Sequence, residues 1–308
     1  MMKDDYKRIH WRAGQEITPD SFTQADNYAT AQLNVIRRLI NLQFYGLLPA
    51  GDGDAPSLTV DASINGTEIT INQMCCIGIT KNGYLVDFKK NQICAIETNR
   101  LMIPKNAARF CYVVLRVKPF ELFLVEPVEN EETPFALPVY ELDIKELQQI
   151  AGNELPILKI DCSQHQPAID RSYVPPCMSL QSFDRLWEYY LELKQLMTDI
   201  ASIVKDKKAR DANYQKLNDP TALLLFDLEQ FSPNNPPYYL IQLLKKIIKT
   251  IEVYVNQSQW NLKEVLNTPY DHNDITIIIQ SITKCFKDIK LYMGKVEAPK
   301  AEDFTPRI

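Results

Sequence analysis

Histidine is scarce in this chain, and the residue types that build catalytic centres do not cluster. The three histidines are His10, His165 and His272, and no two of them lie at metal-ligand spacing on one predicted element. A phosphate-binding loop is absent, because the Gly-Asp-Gly-Asp stretch at 51–54 lacks the later glycine and the strand-to-helix context. These absences predict a protein that is not an enzyme, with no catalytic residue, no metal site and no cofactor.

Long apolar runs are also missing. No stretch approaches the roughly 18 apolar residues that span a bilayer, and the opening Met-Met-Lys-Asp-Asp-Tyr carries acids where a signal peptide would be apolar. Seven cysteines, an odd number at irregular spacing, predict reduced and mostly buried thiols. A net charge of -5 provides no global basic field for nucleic acid. We therefore predict a cytoplasmic chain without membrane insertion or nucleic-acid binding.

The first predicted element is a helix over residues 21–45. Asp20 or Ser21 is placed to cap it just after Pro19, and Gly46 and Pro49 are placed to end it. At helical spacing, one apolar face is formed by Tyr28, Leu33, Ile36, Leu39, Ile40 and Phe44.

Residues 58–160 have the pattern of short β-strands. Asn65-Gly66 and Asn82-Gly83 each lie between apolar alternating runs, which predicts two-residue hairpin loops. Further strands are predicted at 93–96, 110–117, 121–125, 139–144 and 155–160, while 143–150 is alternatively a short helix. Such short strands at near-regular spacing favour an antiparallel sandwich or barrel.

The pattern changes near Tyr173. Pro175 and Pro176 fix the backbone of a stiff extended connector, and the segments after it have helical periodicity. Four helices are predicted, beginning near Ser179, at 219 with Pro220 in the first position, near 238, and near Asp271. Their apolar stripes predict a bundle, and several are wide enough for both an internal core and a trimer interface.

The opening of the chain carries an ordered set of residue types: Trp11-x-x-Gly14-x-x-Ile17-x-Pro19-x-x-Phe22-x-Gln24. It resembles the opening motif of the type VI secretion baseplate family TssK. Four later segments, at 44–47, 173–178, 237–244 and 270–275, fall where that family carries similar aromatic, proline and leucine patterns. Together these ordered matches are more specific than any one of them.

The resemblance implies an α+β multidomain fold. Its parts are an N-terminal antiparallel β-sandwich called the shoulder, expected at 1–173 with the helix at 21–45, and an α-helical bundle called the neck, expected at 174–294. Residues 295–308 are expected to form a C-terminal tail. Tyr173, Pro175 and Pro176 would be the interdomain connector.

The implied function is structural. TssK-like proteins are cytoplasmic homotrimers that bind wedge subunits of the TssF/TssG type and link the baseplate to the membrane complex at the inner face of the membrane. The candidates for wedge binding are Trp11, Gly14, Ile17, Pro19, Phe22 and Gln24. The candidates for the neck core or its trimer interface are Leu186, Leu193, Leu243, Ile247, Ile278 and Ile282.

This sequence departs from the family pattern at its end. It stops at Ile308, soon after the last predicted neck helix, so the C-terminal head that docks onto the membrane complex is expected to be missing. The alternatives are a divergent system such as the Bacteroidetes type, a truncated chain, or a head carried by a separate adaptor protein.

Two rival functions stay open at this stage. A phage-like tail adaptor or receptor-binding protein would share the sandwich and the trimer. A cytosolic enzyme with an unrecognised site would require a deep pocket with converging polar groups.

Overall fold

The structure, a computed structural model, describes residues 8–9, 12–14, 16–40, 44–50, 56–88, 96, 98–104, 106–125, 135–163, 166–209, 211–255 and 262–295, without the side chains at 38–40, 122–125, 135–137 and 263. The chain forms two compact units, and the main division falls between Arg171 and Ser172. Strands dominate the first unit and helices the second, so the predicted α+β class is confirmed.

Helix α1 spans Pro19–Ile40. The predicted cap was wrong, because Thr18 precedes the helix and its backbone carbonyl accepts the Ser21 amide at 3.0 Å. The Thr18 and Ser21 hydroxyls are hydrogen-bonded at 3.1 Å, and each hydroxyl lies 3.4 Å from the other residue's backbone nitrogen. Proline is favoured at the first helical position, since its missing N–H would have no helical partner there. The helix therefore begins at Pro19 rather than at residue 21.

Five strands form the first sheet: β1 Gly46–Leu47, β2 Leu58–Asn65, β3 Glu68–Ile79, β4 Leu85–Phe88 and β5 Arg100–Met102. All four neighbours pair antiparallel with β3. Gly46 and Pro49 were expected to end the first helix, but Gly46 lies in β1 and pairs with Ile79.

Both predicted hairpins are present, with loops that differ from the prediction. Asn65 pairs with Glu68, so the first loop consists of Gly66, with φ of 62°, and the residue after it. In the second, the Thr80 amide donates to the Tyr84 carbonyl at 2.9 Å, which leaves a three-residue loop. Gly83 occupies its last position with φ of 86°, the left-handed conformation that such loops require.

A bulge in β3 keeps one face of this strand in the core. Asp61 pairs with Gln73 but Ala62 pairs with Ile71, so Asn72 is the extra residue. The buried positions consequently change from Ile69 and Ile71 before the bulge to Met74 and Cys76 after it. Without the extra residue the second half of the strand would present its apolar side chains to the opposite face.

Four antiparallel strands form the second sheet, in the order β7 Phe135–Lys145, β6 Phe110–Val125, β8 Glu154–Asp161 and β9 Ala168–Ile169. The sequence predicted two separate strands where β6 is continuous. Its pairing with β7 shifts between Lys118 and Leu122, and Pro119 lies inside this irregular segment, where no ladder hydrogen bond needs its missing N–H.

A charged cluster fixes the register of the second sheet. Arg116 lies directly opposite Glu141 on β7 and opposite Glu154 on β8. Its guanidinium lies 2.9 Å from the Glu141 carboxylate and 2.7 Å from the Glu154 carboxylate. The side chain of Glu154 is fully buried and also accepts from Lys145 Nζ at 2.6 Å and from the Ala151 amide at 2.7 Å. A slipped register would leave this buried charge unpaired.

The two sheets share one core. The Asp87 amide donates to Tyr140 Oη at 3.2 Å, and the Tyr140 ring packs edge-on against Phe88 at 5.2 Å between centroids. Burial raises the pKa of Tyr140 to about 12. A methyl group added at Gly78 would lie 2.7 Å from the Gly46 carbonyl oxygen and 3.0 Å from Leu155 Cδ1, so glycine permits this close approach of β3 to its neighbours.

The second unit contains helices α2 Asp184–Lys207, α3 Ala212–Glu229, α4 Pro237–Tyr254, α5 Leu262–Asn267 and α6 Thr276–Lys295. The four long helices contact one another in a closed ring, α2 with α3, α3 with α4, α4 with α6 and α6 with α2, while the short α5 packs on α4 and α6. Ion pairs of Glu192 with Lys287 and of Asp199 with Lys290 show that α2 and α6 run in the same direction.

Three predicted helix starts were wrong. Ser179 begins a 3-10 turn over Leu180–Ser182, and α2 follows at Asp184. Helix α3 begins at Ala212, capped by Asp211, whose carboxylate accepts the Asn213 amide at 2.7 Å, so Pro220 lies inside the helix. The last helix begins at Thr276 rather than near 271.

The stripe of α3 explains why the helix continues through Pro220. Its buried residues are Tyr214, Leu217, Thr221, Leu224 and Leu228, which recur at intervals of three and four residues on both sides of the proline. Packing of this stripe offsets the lost hydrogen bond and the steric cost of an internal proline, about 3 kcal/mol.

Candidate interaction surfaces

The predicted wedge-facing residues lie just before α1 and along its first turns. Trp11 falls outside the described residues. Gly14 has φ of 78° and open space where a side chain would be, so a glycine is favoured there by backbone conformation rather than by packing. The other four residues, Ile17, Pro19, Phe22 and Gln24, are exposed, with Ile17 and Phe22 each at 59%.

Helix α1 buries the face that its sequence does not favour. Ala31 and Asn34 are 5% and 3% exposed, and the Asn34 side-chain nitrogen has no hydrogen-bond partner in the described part of the chain. Leu33 and Ile36, expected in the core, are 50% and 51% exposed. The predicted inward face of α1 was therefore wrong at these two positions, because the helix packs through its small and polar side instead.

The predicted neck residues lie mostly inside the helical unit. Five of them are at most 1% exposed: Leu186, Leu193, Ile247, Ile278 and Ile282. Leu243 is half-buried. Side chains buried within one chain cannot also face a second copy, so these five positions form the internal core of the helical unit.

Exposed apolar residues on α3 were not singled out from the sequence. Leu223 is 67% exposed and Phe226, one turn later, is 58% exposed. The residue after Phe226, Asp227, forms a surface ion pair with Lys246 of α4 at 3.7 Å. Two large apolar side chains one turn apart on a helix surface favour contact with another protein. The sequence did contain a signal, the wide apolar run at 222–226. Only the structure shows which residues of that run face outward.

The segment at 173–176 belongs to the helical unit. Tyr173 Oη donates to the Asn273 carbonyl at 2.8 Å, and the Val174 amide donates to Thr276 Oγ1 at 2.8 Å. Pro175 and Pro176 are buried. This segment is therefore a packed part of the unit, anchored to the start of α6.

The Asp-His-Asn-Asp run before α6 has a structural role. The Asp271 carboxylate accepts the Asn273 amide at 2.9 Å, and the Asp274 carboxylate accepts the Thr276 amide at 3.1 Å. His272 Nδ1 is hydrogen-bonded to Tyr270 Oη at 2.6 Å. The two carboxylate bonds satisfy backbone donors just before and at the first residue of α6.

A groove of about 590 Å³ lies between α5 and α6, lined in part by Glu264, Lys284, Cys285 and Asp288. Burial raises the pKa of the Cys285 thiol to about 12, so the reactive thiolate is not populated at neutral pH. Across the described ranges, no set of three histidine, cysteine or acidic residues is arranged to hold a metal ion.

No helix in the described part of the chain combines the length and the hydropathy needed to cross a bilayer.

Solved structures supply a precedent for this arrangement. The chain superposes on a chain of the type VI secretion TssK–TssF–TssG baseplate subcomplex with a TM-score of 0.60, at 15% identity, covering 93% of this chain and 99% of that one. The chain has the TssK fold. A crystal structure of TssK superposes with a TM-score of 0.65 at 14% identity over 92% of this chain and 69% of TssK.

A third TssK-like match comes from the baseplate complex of the type VI secretion system. It has a TM-score of 0.60 at 15% identity, covering 96% of this chain and 70% of that chain. No protein-family model matches the sequence, and no curated protein matches it. The TssK-like fold that the motifs implied is therefore supported by three-dimensional superposition. The sequence identity of 14–15% is low, so the superposition shows a shared fold only.

Proposed function

We propose that this chain is a structural subunit of a type VI secretion baseplate. The observation that carries the proposal is the shared TssK fold, which extends over nearly the whole of this chain and over 99% of a chain in a TssK–TssF–TssG subcomplex. The mechanism is binding rather than catalysis, and no cofactor takes part. The working location is the cytoplasm, at the inner face of the membrane, where the subunit would help to link the baseplate to the membrane complex.

The two units correspond in this proposal to the shoulder and the neck. The unit up to Arg171, with the N-terminal helix, is the proposed β-sandwich shoulder, and the unit from Ser172 is the proposed helical neck. The expected boundary lay two residues later, between 173 and 174, and the expected tail after 295 lies outside the described residues. The division between Arg171 and Ser172 supports this assignment. The closed ring of four long helices supports the neck as a self-contained bundle.

The partners are wedge subunits of the TssF/TssG type, bound by the region that opens the chain. Exposed Ile17 and Phe22 supply apolar area, and Gly14 and Pro19 shape the backbone that presents them. Trp11 and Gln24 complete the proposed set. Large aromatic side chains at a surface supply much of the affinity in protein interfaces.

Homotrimer formation is assigned to the outer surface of the neck. Leu223 and Phe226 are large, apolar and exposed, whereas the stripe residues such as Ile247 are already buried within the chain. A trimer also multiplies weak wedge contacts, because each copy contributes one binding region.

Native mass spectrometry of the chain purified gently from its own cells tests the proposal. The expected species is a trimer with wedge proteins bound. Ile17→Glu with Phe22→Glu should remove the wedge proteins and leave the trimer, while Leu223→Glu with Phe226→Glu should dissolve the trimer. Val253→Glu is the matched control, since Val253 is 65% exposed on α4 and lies outside both proposed surfaces.

A folded monomer that recovers no wedge protein would contradict the baseplate assignment. Recovery of a receptor carbohydrate or of phage-like tail proteins on the shoulder would replace it with the tail-adaptor function.

A further inference from the structure

One side of α6 carries a stripe of residues that the rest of the described chain leaves largely uncovered. The members recur at intervals of four and three residues, so the helix places them on one side. They are Ile277, Ser281, Lys284, Asp288, Leu291 and Lys295. All except Ser281 are exposed, Ile277 by 50% and Leu291 by 58%. All except Ile277 line the groove of about 590 Å³ between α5 and α6.

The charges of this stripe differ from those on the neighbouring side of α6. Lys287 lies on the side that faces α2 and pairs with Glu192 at 2.6 Å. Lys284, Asp288 and Lys295 form no ion pair with any described residue. A groove that combines such charges with exposed apolar side chains suits a peptide whose charges have the complementary order.

The sequence that follows α6 has this complementary order. Beyond Lys295 the chain continues through 296–308, outside the described residues. Its charged residues are acidic at Glu297, basic at Lys300 and acidic at 302–303. From its C-terminal end backward, the stripe on α6 is basic, acidic and then basic. A segment that reverses direction after α6 would therefore meet opposite charge at each step.

We propose that the segment 296–308 folds back along α6 and occupies the groove between α5 and α6. Pro299 favours an extended path, because its ring fixes φ and the residue before it is disfavoured in a helix. An occupant joined to the end of the groove also has a high effective concentration there, so individually weak contacts are sufficient. A protein that binds this side of α6 would have to displace the segment.

The register follows from the lengths of the two stretches of chain. Lys284 lies about 16 Å back along α6 from Lys295, at a rise of about 1.5 Å per residue. After about two residues that reverse the chain, about five extended residues cover this distance. The acidic pair at 302–303 then reaches Lys284, and Lys300 reaches Asp288.

The same register covers the exposed apolar members of the stripe. Pro299 comes to the level of Leu291, and Phe304 comes to the level of Ile277, about 27 Å from the end of the helix. Both contacts would remove apolar area from water that the described part of the chain leaves exposed. Charge order and apolar spacing thus select one register independently.

This inference does not rest on the proposed baseplate function, because it concerns a contact within one chain. A test of wedge binding can fail while the segment is docked, and the segment can be undocked in a chain that binds wedge proteins.

Carbodiimide crosslinking of the full-length chain tests the register, since this reagent joins a carboxylate to a lysine amine that lies in direct contact with it. We expect peptide mass spectrometry to find Lys284 joined to 302 or 303, and Asp288 joined to Lys300. The Lys287–Glu192 ion pair provides an internal positive control. In a mixture of isotope-labelled and unlabelled chains, both new products should join peptides of one isotope only.

Charge exchange sharpens the test. Lys284→Glu should lower the yield of the Asp288–Lys300 product about fivefold, because an attraction becomes a repulsion. Adding Glu302→Lys and Asp303→Lys to this variant should restore the yield. Lys287→Glu is the matched control, the same residue type on another side of the same helix, and should leave that yield unchanged.

Three results would overturn the proposal. The first is formation of the Lys287–Glu192 product without either product of the segment. The second is a triple variant that does not regain the Asp288–Lys300 product. The third is a product that joins labelled to unlabelled chains, which would assign the groove to the segment of a second copy.

Discussion

Helices α1 and α4 have similar amphipathic character, yet they bury opposite kinds of face. In α4 the apolar stripe that includes Leu240, Leu244 and Ile247 is fully buried. In α1 the apolar Leu33 and Ile36 are half exposed. An apolar stripe in the sequence therefore predicts a face that packs against something, but it does not identify whether the packing partner lies in the same chain. In α4 the cover is α3 and α6, whereas the single chain leaves the stripe of α1 in contact with solvent.

The largest loss of stability should come from placing a charge in the buried apolar stripe of α4. Ile247→Glu places a charge at a fully buried site of α4, and we expect a loss of more than about 4 kcal/mol in the free energy of unfolding. Urea titration followed by far-UV circular dichroism measures it. Val253→Glu on the same helix, at an exposed site, should stay within about 0.5 kcal/mol of the native chain. Equal effects at the two sites would contradict the described burial.

The second-largest loss of stability should come from a change in the sheets of the first unit, whose core does not include Leu33 and Ile36 of α1. Glu154→Gln weakens the contacts with Arg116 and Lys145, and we expect a loss of about 2–3 kcal/mol at neutral pH. Glu121→Gln is the control, because its carboxylate pairs with Lys118 at an exposed site where such pairs contribute below about 1 kcal/mol.

The same variant has a defined pH dependence. Burial raises the pKa of Glu154, but hydrogen bonds from Lys145, the Ala151 amide and Arg116 outweigh it, so the pKa lies below its usual value. The stabilisation is therefore present above the unfolded-state pKa of about 4.3 and is lost as pH falls through the lower folded-state pKa. The native chain should lose stability on acidification more steeply than Glu154→Gln. Parallel stability curves would contradict this pairing.

A smaller effect should come from the close approach of strands. Gly78→Ala adds a methyl group 2.7 Å from the Gly46 carbonyl oxygen, and we expect a loss of about 1–3 kcal/mol as β1 or Leu155 moves. Thermal unfolding of the variant measures it. Gly294→Ala in α6 is the matched control, because its added methyl has open space and alanine favours helix by up to about 1 kcal/mol. A neutral Gly78→Ala would show that the strands are not in such close contact.

The smallest effect on stability should come from α1. Leu33→Glu, measured at a protein concentration too low for self-association, should change the free energy of unfolding by less than about 0.5 kcal/mol. The reason is that Leu33 is already half exposed in the single chain. A loss as large as that of Ile247→Glu would show that α1 packs its apolar stripe inside the same chain, and the comparison between the two helices would fail.

Local periodicity predicted much of the fold. Both hairpins and the strands at 139–144 and 155–160 were found close to their expected positions, because each combines regular apolar spacing with a turn signal. The four long helices of the second unit are also present, although three of them begin at residues other than those expected. The segment at 143–150 resolved into the end of β7 and a 3-10 turn over Leu147–Gln149.

The errors occurred where packing over a distance overruled a local signal. Pro220 is a strong helix-start signal, yet buried Leu217 and Leu224 on either side of it hold one continuous helix. Pro119 would end a regular strand, but an irregular pairing between Lys118 and Leu122 accommodates it. Both compensations depend on elements distant in the sequence: α2 and α4 cover the stripe of α3, and β7 pairs with β6.

The interaction surfaces were harder to predict than the fold. Periodicity assigned Leu33 and Ile36 to a core because it identifies apolar faces, not their partners. It also could not tell that Leu223 and Phe226 point outward while Leu224 points inward, since all three lie in the apolar run at 222–226.

Two buried thiols provide the chain with a separate reporter in each unit. Cys76 lies in the core of the first unit and Cys177 in that of the second, both with no exposed surface, and burial raises the pKa of each. Neither can react with a thiol reagent until its surroundings open, so the rate of modification at each site measures local opening. Pulsed alkylation read out by peptide mass would therefore show, in one experiment on the native sequence, which of the two units opens first.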